Sequence, residues 1–183
     1  SLSNWCRITI LLNEKTIWVL GATGKFGKII SRAVLENGGN LIAIVRDSQR
    51  FIDIMGDVDM GKIDIIECDC FDVKALEKLF LKLKSFSIHG CVNSLSYRPM
   101  TKFMDDSLEN WNLSISKNSM SMFAIARFFG KKFKKNGGGS LVFISSIYGV
   151  VGPDFDVYRD ESFETEPDYP FIKGGVIVFT KYI

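Results

Sequence analysis

Five short apolar runs, separated by amphipathic segments, constrain this chain more than any other feature. KTIWVL (15–20), LIAIV (41–45), KIDIIECD (62–69), HGCVNSL (89–95) and SLVFISS (140–146) have the composition of buried strands. Between them lie KFGKIISRAVLENG (25–38), a polar helical stretch after the second run, VKALEKLFLKLK (73–84) and SLENWNLSISKNSMSMFAIARFFGKKFKK (107–135). These segments place apolar residues at helical spacing, and the first and last of them end near glycines. The order is therefore β-α-β-α-β-α-β-α-β. Parallel strands need long crossovers, and helices on both faces leave the strands apolar throughout. The pattern predicts an α/β fold, a doubly wound parallel sheet. The length of 183 residues suits one domain, 1–183.

Charge and composition remove several function classes. The net charge is +2, so no general attraction to nucleic acid or to an anionic membrane is expected. The apolar runs ITILL and VIVF are too short to span a bilayer. Asn13, Glu14 and Lys15 cut the N-terminal apolar stretch short, so it does not read as a secretory signal. The cations of KKFKK (131–135) fall in the last turn of a helix, where they complement its dipole. The expected setting is cytoplasmic, with a small-molecule substrate and neither nucleic acid nor membrane as partner.

The cysteines are Cys6, Cys68, Cys70 and Cys91. Cys68 and Cys70 form a C-x-C, which reads either as a metal or redox pair or as small buried strand residues. The second reading is preferred. Structural zinc sites need about four ligands, and this chain has one histidine, His89, and no second cysteine pair. No metal site is expected, and His89 reads as a structural loop residue.

GATGKFG (21–27) follows the first strand and opens the first helix. Glycines there permit a tight turn and a close approach of the backbone to a pyrophosphate, while the helix start offers free N–H groups. In that context Gly21, Thr23, Gly24, Lys25, Phe26 and Gly27 are candidate dinucleotide ligands. A carboxylate for the adenosine ribose belongs at the end of the second strand. Val45 stands there, followed by Arg46, whose guanidinium can pair with a 2′-phosphate. This favours NADP(H) over NAD(H), unless Asp47 turns inward.

Tyr169 and Lys173 sit one helical turn apart, and no other of the five tyrosines has a lysine four residues later. A lysine on the same helix face favours the phenolate, which lets a tyrosine exchange a proton with an alcohol or carbonyl. Ser146, at the end of the fifth strand, can hydrogen-bond the reacting oxygen. Asn118, in the long helix, can anchor a water that passes protons on from the lysine.

With these residues in order, the chain resembles a short-chain dehydrogenase/reductase. The resemblance covers nearly its whole length: GATGKFG, Asp69 after the third strand, Val92-Asn93-Ser94, Trp111 with Asn118, ISS at 144–146 and YPFIK at 169–173. It implies a Rossmann-type sheet. It also implies a catalytic tetrad of Asn118, Ser146, Tyr169 and Lys173, with Lys173 on the nicotinamide ribose as well. Asp69 and its neighbour Cys70 lie where the family holds adenine, and Asn93 matches the asparagine that steadies the sheet beside the cofactor. Three positions depart from the family pattern: Leu20 replaces a threonine, Lys25 replaces the second glycine, and the turn after the fourth strand reads NSLS. The glycine spacing also suits extended relatives, so a sugar-nucleotide epimerase or dehydratase is the alternative activity. A non-catalytic nucleotide-binding protein is a second alternative.

SSIYGVVGPDFDVYRD (145–160) is similar to flagellin-modification oxidoreductases, associated with nonulosonic sugars. Seven carboxylates lie between Asp154 and Asp168, with only Arg159 opposing them inside the segment. Such a loop, at the mouth of the site, is expected to select a polar or amino-bearing substrate. Family members continue for about a third more chain, with two further strands and a segment that closes over substrate. The chain is accordingly expected to be a fragment lacking C-terminal strands, weakly active by itself, whose full-length parent forms a homo-oligomer.

Overall fold

The computed structural model describes residues 12–83, 86–101, 103–157 and 165–183. Cys6 and much of the acidic segment, including Arg159, lie outside the described residues. Five strands form one parallel sheet: β1 (Thr16–Leu20), β2 (Asn40–Val45), β3 (Ile63–Glu67), β4 (Gly90–Asn93) and β5 (Ser140–Phe143). Their order across the sheet is β3-β2-β1-β4-β5. The helices are α1 (Lys25–Glu36), α2 (Ser48–Met55), α3 (Val73–Lys82), α4 (Leu108–Lys135) and α5 (Asp168–Tyr182). The doubly wound sheet predicted from the alternation is the one observed.

The period-two alternation of side chains along each strand builds two separate cores. Trp18, Leu20, Ile42 and Ile44 face α3 and α4, where Leu76, Phe80, Ile125 and Phe129 complete one cluster. Val19, Leu41, Ala43 and Val45 face the other way and pack with Val34, Phe51 and Met55 of α1 and α2. Helix α5 lies on the α4 side, through Trp111 against Phe171 and Phe143 against Phe179. Helix starts are set locally: Asp47, Asp72 and Ser107 each accept a hydrogen bond from the backbone N–H three residues on.

Two expectations change. Strand β5 ends at Phe143 because its ladder with β4 runs only over Gly90–Asn93, so Ser146 lies beyond the strand and caps a short 3₁₀ turn, Ile147–Gly149. Strand β3 ends at Glu67, so Cys68 and Cys70 are not strand residues, and Cys68 is only half-buried. Cys91, inside β4, is buried as expected. His89 has a structural bond: its Nδ1 accepts from the Thr16 amide at 2.9 Å. Among the described residues no helix is long and apolar enough to cross a membrane.

Candidate active site

The strand order reverses at β1, with β2 on one side and β4 on the other. A crevice at the carboxyl ends of the strands is where ligands bind in such sheets. Here a cavity of about 160 Å³ opens there, lined by Gly21, Thr23, Gly24, Arg46, Asp69 and Cys70, among others. Six of the residues singled out from the sequence therefore meet in one place, from the ends of three different strands.

The glycine turn is shaped by contact. Gly21 has φ +79°, and a Cβ on Gly27 would sit 2.1 Å from the Gly21 carbonyl oxygen, so only glycine lets α1 start this close to β1. Helix α1 begins after Gly24 with no side-chain cap, which leaves its first amides for an anion. Lys25 and Phe26 are exposed and do not line the cavity, because the first helical turn projects them to solvent. Ser94, quoted from the sequence without a role, donates its hydroxyl to the carbonyls of Leu20 and Gly21 at 2.9 and 3.2 Å and so ties the turn to β4.

At the ribose end, Arg46 is exposed at the cavity wall. Asp47 instead caps α2, accepting from the Arg50 amide at 2.9 Å. Asp69 accepts from the Phe71 amide at 3.0 Å, which fixes the turn after β3.

A second, small cavity of about 20 Å³ is lined by Asn93, Asn118 and Lys173. Phe71 and Leu95 line both cavities, so the two are neighbours. Lys173 is 5% exposed, and its Nζ donates to the Ile144 carbonyl at 2.8 Å. Burial, and then the charge of Arg98, hold its ammonium below the usual lysine range. Its backbone is fixed too. Ser145 Oγ donates to the Lys173 carbonyl at 2.8 Å, and a Cβ on Gly149 would come within 2.6 Å of the Lys173 backbone.

Tyr169 lines neither cavity, but the Lys173 Nζ lies 5.6 Å from its ring centroid. Arg98, from the loop after β4, covers the same ring and ion-pairs with Glu166. The acidic segment is therefore met by a cation from outside it, which a count of charges within the segment could not reveal. Asp168, one residue before Tyr169, is 1% exposed and accepts from Ser114 Oγ of α4. That bond ties the first turn of α5 to α4.

Ser146 Oγ accepts from the Tyr148 amide at 3.2 Å, which leaves its proton available to donate. The Asn118 side chain bonds to backbone groups. Its Nδ2 donates to the carbonyls of Tyr97 and Ser114, and its Oδ1 accepts from the Tyr97 amide at 3.0 Å. It clamps the loop that carries Arg98. Asn93 Oδ1 accepts from the Leu95 amide, and the Asn93 carbonyl accepts from Ile144, which joins β4 to the end of β5.

The chain is similar to known proteins in sequence and in fold. The chain is 27% identical to post-translational flagellin modification protein A of Campylobacter coli, over 91% of this chain and 68% of that protein. It is also 27% identical to the 3-oxoacyl-[acyl-carrier-protein] reductase FabG of Rickettsia conorii, over 93% of this chain and 65% of that protein. In fold it matches a short chain dehydrogenase from Leptospira borgpetersenii with bound NAD+, at TM-score 0.79 and 22% identity, over 100% of this chain and 68% of that one. It matches ElxO with NADP bound at TM-score 0.75 and 19% identity, over 91% of this chain and 65% of that one. The chain thus spans about two thirds of the length of these relatives. A model of the short chain dehydrogenase family matches residues 15–159, and with the glycine turn, the parallel sheet and the Tyr169–Lys173 pair in place, the chain belongs to that oxidoreductase family.

Proposed function

We propose that this chain is the nucleotide-binding and catalytic part of an NAD(P)(H)-dependent oxidoreductase. It interconverts a hydroxyl and a carbonyl on a small polar, sugar-derived substrate. The observation that carries the reading is that the glycine turn and Lys173 line neighbouring cavities, which share Phe71 and Leu95 in their walls.

The residues fit a dinucleotide. Gly21 and Gly27 let α1 start close against β1, the uncapped start of α1 faces an anion favourably, and Asp69 and Cys70 line the cavity where the adenine would lie. When bound, the nicotinamide supplies or accepts the hydride. The chain supplies the proton and the alignment. Tyr169 gives a proton to the carbonyl oxygen, or takes one from the hydroxyl. Lys173 and Arg98 place two cations against its ring, and Ser146 donates to the reacting oxygen. Lys173, anchored on Ile144, also holds the nicotinamide ribose. Asn118 keeps the Arg98 loop in register.

Arg46 at the cavity wall, with Asp47 committed to capping α2, favours NADP(H) over NAD(H). The sugar-derived substrate rests on likeness to flagellin modification protein A. Exposed Phe123, Phe171, Val178 and Tyr182 on α4 and α5 support a homo-oligomer. Free thiols at Cys68, Cys70 and Cys91 support a reducing, cytoplasmic setting.

The test is cofactor turnover at 340 nm by the parent-length protein, screened against keto and hydroxy sugars, with Tyr169→Phe alongside. Loss of turnover by about 10²–10⁴-fold, with NADPH affinity retained, is expected. Undiminished turnover in Tyr169→Phe would overturn the reading.

A further inference from the structure

We propose that the groove between α3 and α4 is a docking surface for an acidic amphipathic helix of a partner protein. The groove shares no lining residue with the nucleotide cavity or with the cavity at Lys173. Its use is therefore separate from the proposed reaction.

Shape is the first observation. The groove holds about 530 Å³, the size of a ligand cleft. Phe80 and Leu81 of α3 and Ala124 and Phe128 of α4 give it an apolar lining. Ala124 carries only a methyl group, too small to fill the space between the helices. Leu81 lines the groove and is 62% exposed. Helix α3 has 10 residues, so the groove beside it offers about 15 Å, enough for about three turns of a docked helix.

Charge is the second. Helix α3 bears Lys74, Lys78 and Lys82, with Glu77 as its only carboxylate. From Ala124 onward α4 bears Arg127 and four lysines, and no carboxylate. The whole chain nets only +2, so this face is basic on a molecule that is otherwise acidic. Helix dipoles account for the lysines in the last turns but not for Lys78 or Arg127, and they oppose Lys74 in the first turn of α3. Lys74 and Lys78 share a stripe with Leu81, at i, i+4 and i+7, while Arg127 and Lys131 line the opposite wall. An apolar floor between two basic rims complements a helix whose apolar stripe is flanked by carboxylates.

Two other anionic partners fit less well. Single-stranded nucleic acid needs aromatic faces on which bases stack. Here the Phe128 ring is stacked on buried Phe80 at 4.0 Å, with the Lys132 Nζ 5.9 Å from its centroid, so both rings are engaged with neighbours. An anionic bilayer takes up apolar side chains that project beyond the basic ones. In this groove the apolar floor is recessed between two helices.

The experiment is a fluorescence-anisotropy titration of the chain with a labelled synthetic helix of about four turns, carrying leucines at i, i+3, i+4 and i+7 and glutamates on its flanks. One control scrambles the order of the same residues, and a second carries lysine for glutamate. The acidic helix should bind at least about tenfold more tightly than either control. Raising salt from about 0.05 to 0.5 M should weaken it several-fold. Leu81→Asp, and separately Lys78→Glu with Lys131→Glu, should each weaken it at least about fivefold while circular dichroism and NADPH binding stay as in the wild type. The double charge reversal should gain affinity for the lysine helix. No saturable binding at about 1 mM acidic helix overturns the proposal. So does equal binding of the scrambled helix, or binding that both folded variants leave unchanged. Phosphatidylcholine vesicles with about a quarter phosphatidylserine, and an oligothymidylate, are run alongside. Binding of either that exceeds binding of the acidic helix, and that both variants abolish, overturns the protein partner in favour of a membrane or a nucleic acid. Self-association in sedimentation that Leu81→Asp abolishes overturns it in favour of a second copy of this chain.

Discussion

The Arg98 guanidinium lies 4.6 Å from the centroid of the Tyr169 ring and ion-pairs with Glu166, three residues before that tyrosine. One side chain from the loop after β4 therefore pins the start of α5 and places a positive charge over the candidate catalytic phenol. Its loop is held in turn by Asn118 of α4. Each of these links can be broken separately.

Arg98→Met removes the stacked cation and the ion pair together. Cation–π contacts at partly exposed sites contribute about 0.5–1 kcal/mol, and exposed ion pairs about 0–1 kcal/mol. A fall of a few degrees in melting temperature is expected, with a larger fall in turnover. Arg98→Lys keeps the charge and loses the planar stack, so it should recover part of the turnover only.

Lys173 gives stability a pH signature. Its folded pKa is depressed by burial and then by Arg98, so between that value and its unfolded value the unfolded chain holds more protons. Stability then rises with pH across this alkaline window. Melting curves of the wild-type chain and Lys173→Met from neutral pH to pH about 10.4, the ordinary lysine value, should differ by that rising component. Arg98→Met should shrink it. Curves of identical slope would show that Lys173 titrates normally.

Gly149→Ala tests how tightly the turn after Ser146 packs on α5. The added methyl would meet the Lys173 backbone at 2.6 Å, and overpacking of this kind costs about 1–3 kcal/mol. Gly152→Ala, with nothing within 4 Å, should be nearly neutral in the same denaturation assay.

Asn118→Ala deletes both hydrogen bonds to the Tyr97 backbone and the one to the Ser114 carbonyl. A loss of roughly 1–3 kcal/mol in urea unfolding is expected. Turnover should fall further than stability, because the loop that carries Arg98 loses its register.

Arg46→Ala separates the two cofactors. Removing one charge-assisted contact to a phosphate costs about 1.5–3 kcal/mol, or roughly 10–100-fold in NADPH affinity, with NADH affected little. Side-by-side fluorescence titrations check this. Equal losses for both cofactors would place Arg46 elsewhere than on the 2′-phosphate.

The architecture, and most of the residues lining the cavity at the glycine turn, were legible along the chain. Both depend on local, periodic signals. Strands read as unbroken apolar runs because both sheet faces are covered, as Trp18 and Val19, on opposite faces, illustrate. The glycine turn is contiguous in the chain, and so is the Tyr169–Lys173 pair. Tertiary structure alone decided the surroundings of that pair. Arg98 and Glu166 are far apart in sequence, as are Ser114 and Asp168, and Gly149 and Lys173. No spacing rule links such residues. The lengths of β3 and β5 were also decided by neighbours, since a strand ends where its partner stops pairing. That is why Ser146 begins a turn and Cys68 reaches the cavity wall. Periodicity is written residue by residue along the chain, whereas charge pairing, close approach and access to a cavity exist only once distant segments have met.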